Sequence, residues 1–527
     1  MQVSSSVRIK KRSEQGASFN GWLSWFLLPF ILLVQASTSL LLLNNTPFQD
    51  EALYLLAGHQ ILLRWQGQAT YLEPYGLYFS GYPFFYPPIA GLLDLLGGLE
   101  MARLFSLLCM LIATTCVYGL TLRLFDRTSA LLAAFIFACG GSVLFVGRLA
   151  TYDALCCCLL ALALTFCLWA SQAASDRRLL VFGPLLMLMV AAKYAGLLFI
   201  PTILALLAWW SWQQQGWREM LDRLHLALTS LIITGLLAFL VMDQQALTGM
   251  NVTTINRVSL TAAPALVVIG HIATTTGIFF ALGLLALPLC GRKRVLTGLL
   301  FFGSALLVPL YHTTRGEMVS LDKHLAFCMI FLAPLVGYIT AFFVNVLHRY
   351  MGGLSWLAVL ALCLLIFLSG IQQASLLYEG WPSSTQLTTF LQPQVHKGKD
   401  HYLAEDYDVL RYSLQKQTDI WQWSSLDYFV YIAADKRELS GEAAYTAAIQ
   451  AGYFEMIELS YGYHAALARH ITQSLNASQD YQLVARIPMH SAYGDGSYWI
   501  WRKRVTAAND AALVGTGKKD RAHIPKA

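Results

Sequence analysis

Charge is scarce in this chain: only 13% of its 527 residues are Asp, Glu, Lys or Arg, roughly half the share a soluble domain carries. With 57% hydrophobic residues and a mean hydropathy of +0.53, the deficit excludes an ordinary soluble protein and places the chain in the membrane class. No solvated run of Lys and Arg interleaved with aromatics occurs, and the net charge of +6 is small for this length, so nucleic acid has no support as a partner. Cysteine is missing from the whole hydrophilic segment after Tyr378. The cysteines present (Cys109, Cys116, Cys139, Cys156, Cys157, Cys158, Cys167, Cys290, Cys328 and Cys363) all lie in or beside apolar runs, which argues against a disulfide framework or a thiolate metal site. The adjacent Cys156, Cys157 and Cys158 point in different directions on a helix and read as small apolar filler. Nucleophile-elbow, P-loop and dinucleotide fingerprints are missing. So are solenoid repeats and the matched broken helices of inverted-repeat transporters.

What is present is a series of long apolar runs. Those near 22–43, 99–122, 128–146, 153–171, 224–242, 264–290, 295–311, 325–347 and 353–372 each suit a span of ~20 residues. The run 179–212, interrupted by Lys193, Tyr194 and Pro201, reads as two short or tilted spans meeting near Lys193. The sum is an α-helical polytopic membrane protein of about eleven transmembrane helices. The first run is too long for a signal peptide and is taken as a retained span. Arg8, Lys10, Lys11 and Arg12 precede it and assign residues 1–21 to the cytoplasm. The basic connections at Arg123 and Arg127, Arg177 and Arg178, Arg218 and Arg223, Arg292 to Arg294, and His348 and Arg349 then all fall on the inner side.

This count assigns the organisation. A transmembrane module covers 22–376 and includes a first outer loop at 44–98. A small soluble α/β domain outside the cytoplasm covers 377–506, and a polar end at 507–527 is expected to be disordered. In the α/β domain, strands are expected at His401 to Asp406, Gln482 to Pro488 and Tyr498 to Arg502, and helices at 442–451 and 462–475.

The first outer loop holds an acidic pair, Asp50 and Glu51, just beyond the first span, and closes on Tyr86-Pro87-Pro88. One reading is a helix N-terminus, where carboxylates cap first-turn amides. The other is a reaction centre, because Asp153 lies at the outer end of another span and carboxylates at a membrane boundary are costly unless paired, solvated or in use. Arg148 offers Asp153 a structural partner. The same face collects Lys193, Arg257, Tyr311, His312, Arg315, Lys323 and His324. Cations beside carboxylates suit an anionic leaving group and an acceptor that must lose a proton. Each also has a plainer use, such as anchoring a loop at lipid headgroups. Lys193 is the hardest to dismiss, since an ammonium inside an apolar run needs a reason. His59 has no ligand-spaced partner and reads as structural.

The order of these features resembles a known pattern. Asp50-Glu51 after the first span, the Tyr86-Pro87-Pro88 close, the Arg148-x-x-x-x-Asp153 turn and the segment His312 to Tyr338 together resemble the GT-C glycosyltransferases. The similarity is to the lipid A aminoarabinose transferase and protein O-mannosyltransferase groups, families 83 and 39. It implies a polyprenyl-phosphate sugar donor, a glycan, glycolipid or protein acceptor, inversion at the anomeric carbon, and an active site facing outward from the bacterial plasma (inner) membrane. It also implies catalytic roles for Asp50, Glu51 and Asp153, and donor-phosphate or substrate contacts from Tyr86, Arg148, Lys193, Arg257, His312, Arg315, Lys323 and His324. Some members of the superfamily use a divalent metal ion, for which Asp50 and Asp153 are the candidate ligands here. Aminoarabinose-transferase-like members often carry Lys where this chain has Tyr86, so another cation must take that phosphate contact. The alternative kept beside this reading is a transporter or flippase whose outer carboxylates bind substrate or a cation.

Overall fold

The computed structural model describes residues 23–68, 71–172, 176–257, 259, 261–462 and 464–504. The expectations for 1–21 and 507–527 lie outside the described residues. Among the described residues, six helical segments are long and apolar enough to cross a membrane: Tyr86–Leu124, Tyr152–Ser171, Tyr194–Gln215, Trp217–Val241, Ala265–Arg315 and Leu321–Tyr378. The pair Arg127–Ala138 and Gly141–Gly147, bent by 63°, makes a seventh when taken as one span. Two of the long segments are each a pair of helices. Pro288 and Gly291 break the first between Ala265–Ala286 and Gly291–Arg315, and Gly352 at φ 53° turns the second between Leu321–Met351 and Ser355–Tyr378. A further apolar helix, Leu23–Leu42, opens the described chain. Leu236, Leu237, Phe239 and Leu240 stand exposed along Trp217–Val241, as suits a surface that faces lipid rather than water.

The chain divides into two compact units. The first falls within Met1–Leu43, Gly76–Phe85 and Arg103–Ser375, the second within Asn44–Tyr75, Tyr86–Ala102 and Leu376–Ala527. In the first, the Leu321–Met351 helix is buried along most of its length and packs against Arg127–Ala138, Gly291–Arg315 and Ala265–Ala286. The helix Phe182–Ala192 stops at Lys193, which is extended at φ −154°, ψ 126°, and a 3-10 turn, Tyr194–Phe199, follows. The break frees backbone groups that must find partners inside the protein. The segment Gly76–Phe85 supplies them: Tyr82 N–H donates to the Ala191 carbonyl at 2.8 Å, and the Ser80 carbonyl accepts from Tyr194 N–H at 2.8 Å.

The second unit is built on a five-stranded sheet. Its strands are β1 (His401–Ala404), β2 (Trp423–Ser425), β5 (Phe454–Leu459), β6 (Tyr481–Ser491) and β7 (Gly494–Lys503), while β3 (Val430–Ile432) and β4 (Glu438–Ser440) pair separately. The order is β2-β1-β5-β7-β6, with β1 parallel to both neighbours and β7 antiparallel to β5 and β6. The helices Glu442–Gln450 and Ala465–Ala477 close over an apolar layer that includes Leu403, Ala448, Ile457 and Ile471. The same unit contains the helix Gln49–Trp65 and the start of Tyr86–Leu124. These two helices cross backbone to backbone at Gly58 and Gly91. A Cβ on Gly58 would fall 2.1 Å from the Pro87 carbonyl oxygen, and one on Gly91 would fall 2.7 Å from the Gly58 carbonyl carbon.

Candidate active site

In the first unit the ion pair that forms at Asp153 is with Lys193. The Lys193 ammonium donates to Asp153 Oδ1, and both side chains are almost wholly buried. The helix break is what makes this possible, because an extended Lys193 leaves the helical path. Its ammonium also lies 5.1 Å over the Tyr152 ring. Lys323, on the first turn of Leu321–Met351, is buried and acts electrostatically on Asp153. Arg148 is buried too, and its Nε donates to the Leu43 carbonyl at 3.1 Å.

Beside Lys323 stands a histidine pair. His312 Nδ1 is 2.6 Å from the Glu317 carbonyl oxygen, and its Nε2 is 2.8 Å from His324 Nδ1. A carbonyl only accepts, so His312 Nδ1 carries the hydrogen. With both rings neutral, His324 Nδ1 donates to His312, and His324 Nε2 is left as a bare acceptor. That atom is buried without a hydrogen-bond partner among the described residues. Lys193, Lys323 and Arg257 are the cations that act electrostatically on His324. The turn that carries Glu317 is tightly held. Gly316 is left-handed at φ 62° at the end of Gly291–Arg315, and its carbonyl accepts from Ala263 N–H at 2.8 Å and the Thr261 hydroxyl at 2.8 Å. Glu317 accepts from Val319 N–H at 2.9 Å and lies 4.0 Å from Arg257 Nε. Lys193, Lys323, His312, His324 and Arg257 are thus brought together with Asp153. Arg315 does not share their burial: it is exposed and donates to the Ile255 carbonyl at 2.9 Å.

In the second unit, Asp50 and Glu51 open the Gln49–Trp65 helix. Glu51 is fully buried and reaches back to accept Phe48 N–H at 2.8 Å, the capping role open to it from the sequence. Asp50 is half-buried. Tyr86 is buried edge-on to Tyr54, with ring centres 6.3 Å apart.

Several further residues surround this helix, among them His59 and others that sequence reasoning passed over. Tyr407–Ser413 packs against it and brings Asp408, whose carboxyl burial pushes up to about 7. Arg411 opposes that rise, and the negative charges of Glu73 and Asp50 add to it. Arg411 is buried and pairs with Glu73. The Tyr412 hydroxyl donates to Asp94 at 2.7 Å, and His59 stands between Asp94, at 2.9 Å, and Gln415, at 3.0 Å. Only the Asp408, Arg411 spacing of three on a short helix signalled any of this locally.

Among the described residues no group of three or more His, Cys, Asp or Glu side chains is arranged to hold a metal ion. At Asp153 the cation position is taken by the Lys193 ammonium. That donor set does not fit a divalent ion.

Comparison with known proteins gives three findings. Residues 83–242 match the family model described as dolichyl-phosphate-mannose-protein mannosyltransferase. No curated protein matches the chain by sequence. Solved structures match by shape. ArnT from Cupriavidus metallidurans in the apo state aligns with a TM-score of 0.60 at 13% identity over 91% of this chain and 97% of that one. The same protein bound to undecaprenyl phosphate gives 0.60 at 12% identity, over 92% and 98%. The Archaeoglobus fulgidus oligosaccharyltransferase in complex with Zn and sulfate gives 0.56 at 14% identity, over 90% and 72%. At such identities the likeness is one of fold.

Proposed function

We propose that this chain, an integral membrane protein with the fold of the GT-C membrane glycosyltransferases, transfers a sugar from a polyprenyl-phosphate carrier to a hydroxyl or phosphate of an acceptor. The acceptor is a glycan, glycolipid or protein at the outer face of the bacterial plasma membrane, and the anomeric centre inverts. The soluble domain at 377–506 stands on that outer face. The observation that carries this reading is the cationic cluster formed by buried Lys193 and Lys323 at Asp153, with half-buried Arg257 acting on the histidine pair. The family match over 83–242 and the neighbour that binds undecaprenyl phosphate support the same class of donor.

The chemistry is a direct displacement. The acceptor oxygen attacks the anomeric carbon and gives its proton to Asp50. The bond from that carbon to the phosphate oxygen breaks, and its electron pair leaves with the lipid phosphate. Lys193, Lys323 and Arg257 stabilise that charge in a dry environment, where electrostatics are strong. Lys193 and Lys323 take the place of the lysine missing at Tyr86. Asp153 orients Lys193. Arg148, Arg315, Tyr86 and His312 are further candidate substrate contacts, and Glu51 fixes the turn that presents Asp50. No step is routed through a metal ion.

The test is transfer of radiolabelled sugar from a panel of polyprenyl-phosphate sugars by purified protein in lipid, beside Asp50→Asn. Transfer by wild type that falls at least about a hundredfold in a folded Asp50→Asn supports the reading. Equal turnover in both removes Asp50 from the chemistry. One feature favours a transporter instead, the broken helix at Lys193. Counterflow of a charged solute, abolished by Asp50→Asn in vesicles that transfer no sugar, would establish that reading.

A further inference from the structure

We propose that the C-terminal segment is a clamp on the helix that carries Asp50, and that Arg411 is its positioning residue. The inference rests on the role given to Asp50 above, and every contact used lies within the second compact unit.

The first turn of a helix is its loosest part, because its N–H groups lack intrahelical acceptors. Asp50 sits in that turn. The approach to it, Asn45 to Phe48, is pinned by residues more than three hundred positions later. Asn45 Nδ2 donates to the carbonyls of Tyr378 at 2.7 Å and Trp381 at 3.0 Å. The Trp381 indole N–H donates to the Thr46 carbonyl at 3.0 Å, and Ser384 N–H donates to the Thr46 hydroxyl at 3.0 Å. The Phe48 and Trp381 rings meet with centres 5.0 Å apart.

The other side of the helix is held by Tyr407–Ser413 and the residues after it. Arg411 binds Glu73, which also accepts from the Tyr407 hydroxyl at 3.2 Å. The Arg411 guanidinium stacks 4.2 Å from the Tyr407 ring and lies 3.8 Å from Asp408, whose neighbour across the contact is Gln49. Tyr412 and Gln415 close on Asp94 and His59. Thus both ends of the loop, Glu73 after the helix and Asn45 before it, are tied to the C-terminal segment.

Burying a guanidinium is a costly way to join two pieces of chain, and apolar packing would hold them as firmly. A charged, hydrogen-bonded pair instead fixes register. Register matters here because a carboxylate that takes a proton during displacement must be placed to within a fraction of an ångström. The donor cations Lys193, Lys323 and Arg257 belong to the other unit, so loosening the clamp should spoil the chemical step without weakening donor binding.

The test uses the full chain in lipid, with undecaprenyl-phosphate mannose, glucose and aminoarabinose as donor probes. Arg411→Met and Glu73→Gln are expected to lower kcat by about tenfold to a hundredfold while the donor KM stays within about twofold. Arg411→Lys should recover part of the loss, and the Glu73→Gln/Arg411→Met double variant should be no worse than the single changes, as for two residues of one interaction. Amide exchange of the peptides covering Gln49–Trp65 gives a readout that needs no turnover: exchange at the first turn should quicken in Arg411→Met and stay unchanged in Asp50→Asn. A wild-type kcat in every variant overturns the proposal, as does unchanged exchange. If wild type transfers none of the three sugars, the proposed activity is in question while the exchange result still decides the clamp. Should Arg411→Met fail to fold, Tyr412→Phe, which removes only the hydroxyl on Asp94, is measured in its place, and a wild-type kcat with unaltered exchange overturns the proposal equally.

Discussion

The ammonium of Lys193 and the carboxylate of Asp153 form a buried ion pair across a break in a membrane helix. Removing one partner of a buried pair leaves a charge without compensation, at a cost of about 3–5 kcal/mol. Lys193→Met should therefore lower the melting temperature in detergent sharply. Lys193→Met/Asp153→Leu removes both charges and should recover most of the stability but none of the transfer. Recovery of transfer along with stability would reduce the pair to a structural role.

His324 Nε2 is buried beside the cations without a hydrogen-bond partner among the described residues. His324→Phe keeps the ring contact with Phe327 and removes both the Nε2 acceptor and the Nδ1 bond to His312. Its expected effect is a loss of transfer of about tenfold, in the range of one lost hydrogen bond to substrate, with stability lowered by about 1–3 kcal/mol for the unpaired His312 nitrogen. A transfer rate equal to wild type would remove His324 from the site.

The Gly58 and Gly91 crossing predicts a steric outcome. Gly58→Ala drives a methyl group to 2.1 Å from the Pro87 oxygen. The helices must separate, and stability should fall by about 1–3 kcal/mol or more. Thermal unfolding of the purified protein reads this directly, with Gly119→Ala, at an open position, as the control.

Asp408 predicts a pH dependence. Folding raises its carboxyl from 3.8 to about 7. Between those values the folded chain holds a proton that the unfolded chain has released, so stability is greatest below the unfolded pKa and falls as pH rises to about 7. Asp408→Asn stays neutral throughout. It should melt higher than wild type above pH 7, by an amount on the order of a few kcal/mol, and the difference should vanish near pH 4. Buried Asp406, raised to about 6, and Glu458, raised well above its usual value, slope the same way and remain in both proteins.

Periodic features could be read from the sequence, and partners could not. The apolar runs, the interruption at Lys193 and the strands at His401, Gln482 and Tyr498 follow from local pattern, because helix and strand periods are written over a few residues. The cations of the cluster could be named singly, since ammonium and guanidinium groups in apolar surroundings stand out. What could not be read was pairing. Arg148 lies closest to Asp153 in sequence, yet Lys193, forty positions on, holds it. Arg411 and Glu73 are 338 positions apart, and nothing in the short helix around Arg411 distinguishes a buried guanidinium from a surface one. Glu51 was legible as a cap, and it accepts Phe48 N–H in that role.

The break at Lys193 has a consequence for biosynthesis. A helix that stops inside the membrane exposes peptide groups to lipid until something covers them. The strip around Ser80 and Tyr82 that covers them lies upstream, so it has left the ribosome before the break does. The segment Gly76–Phe85 then serves as an internal template against which a discontinuous span can be inserted with its backbone already matched. Deleting that strip should therefore be felt during membrane integration, before any substrate is bound.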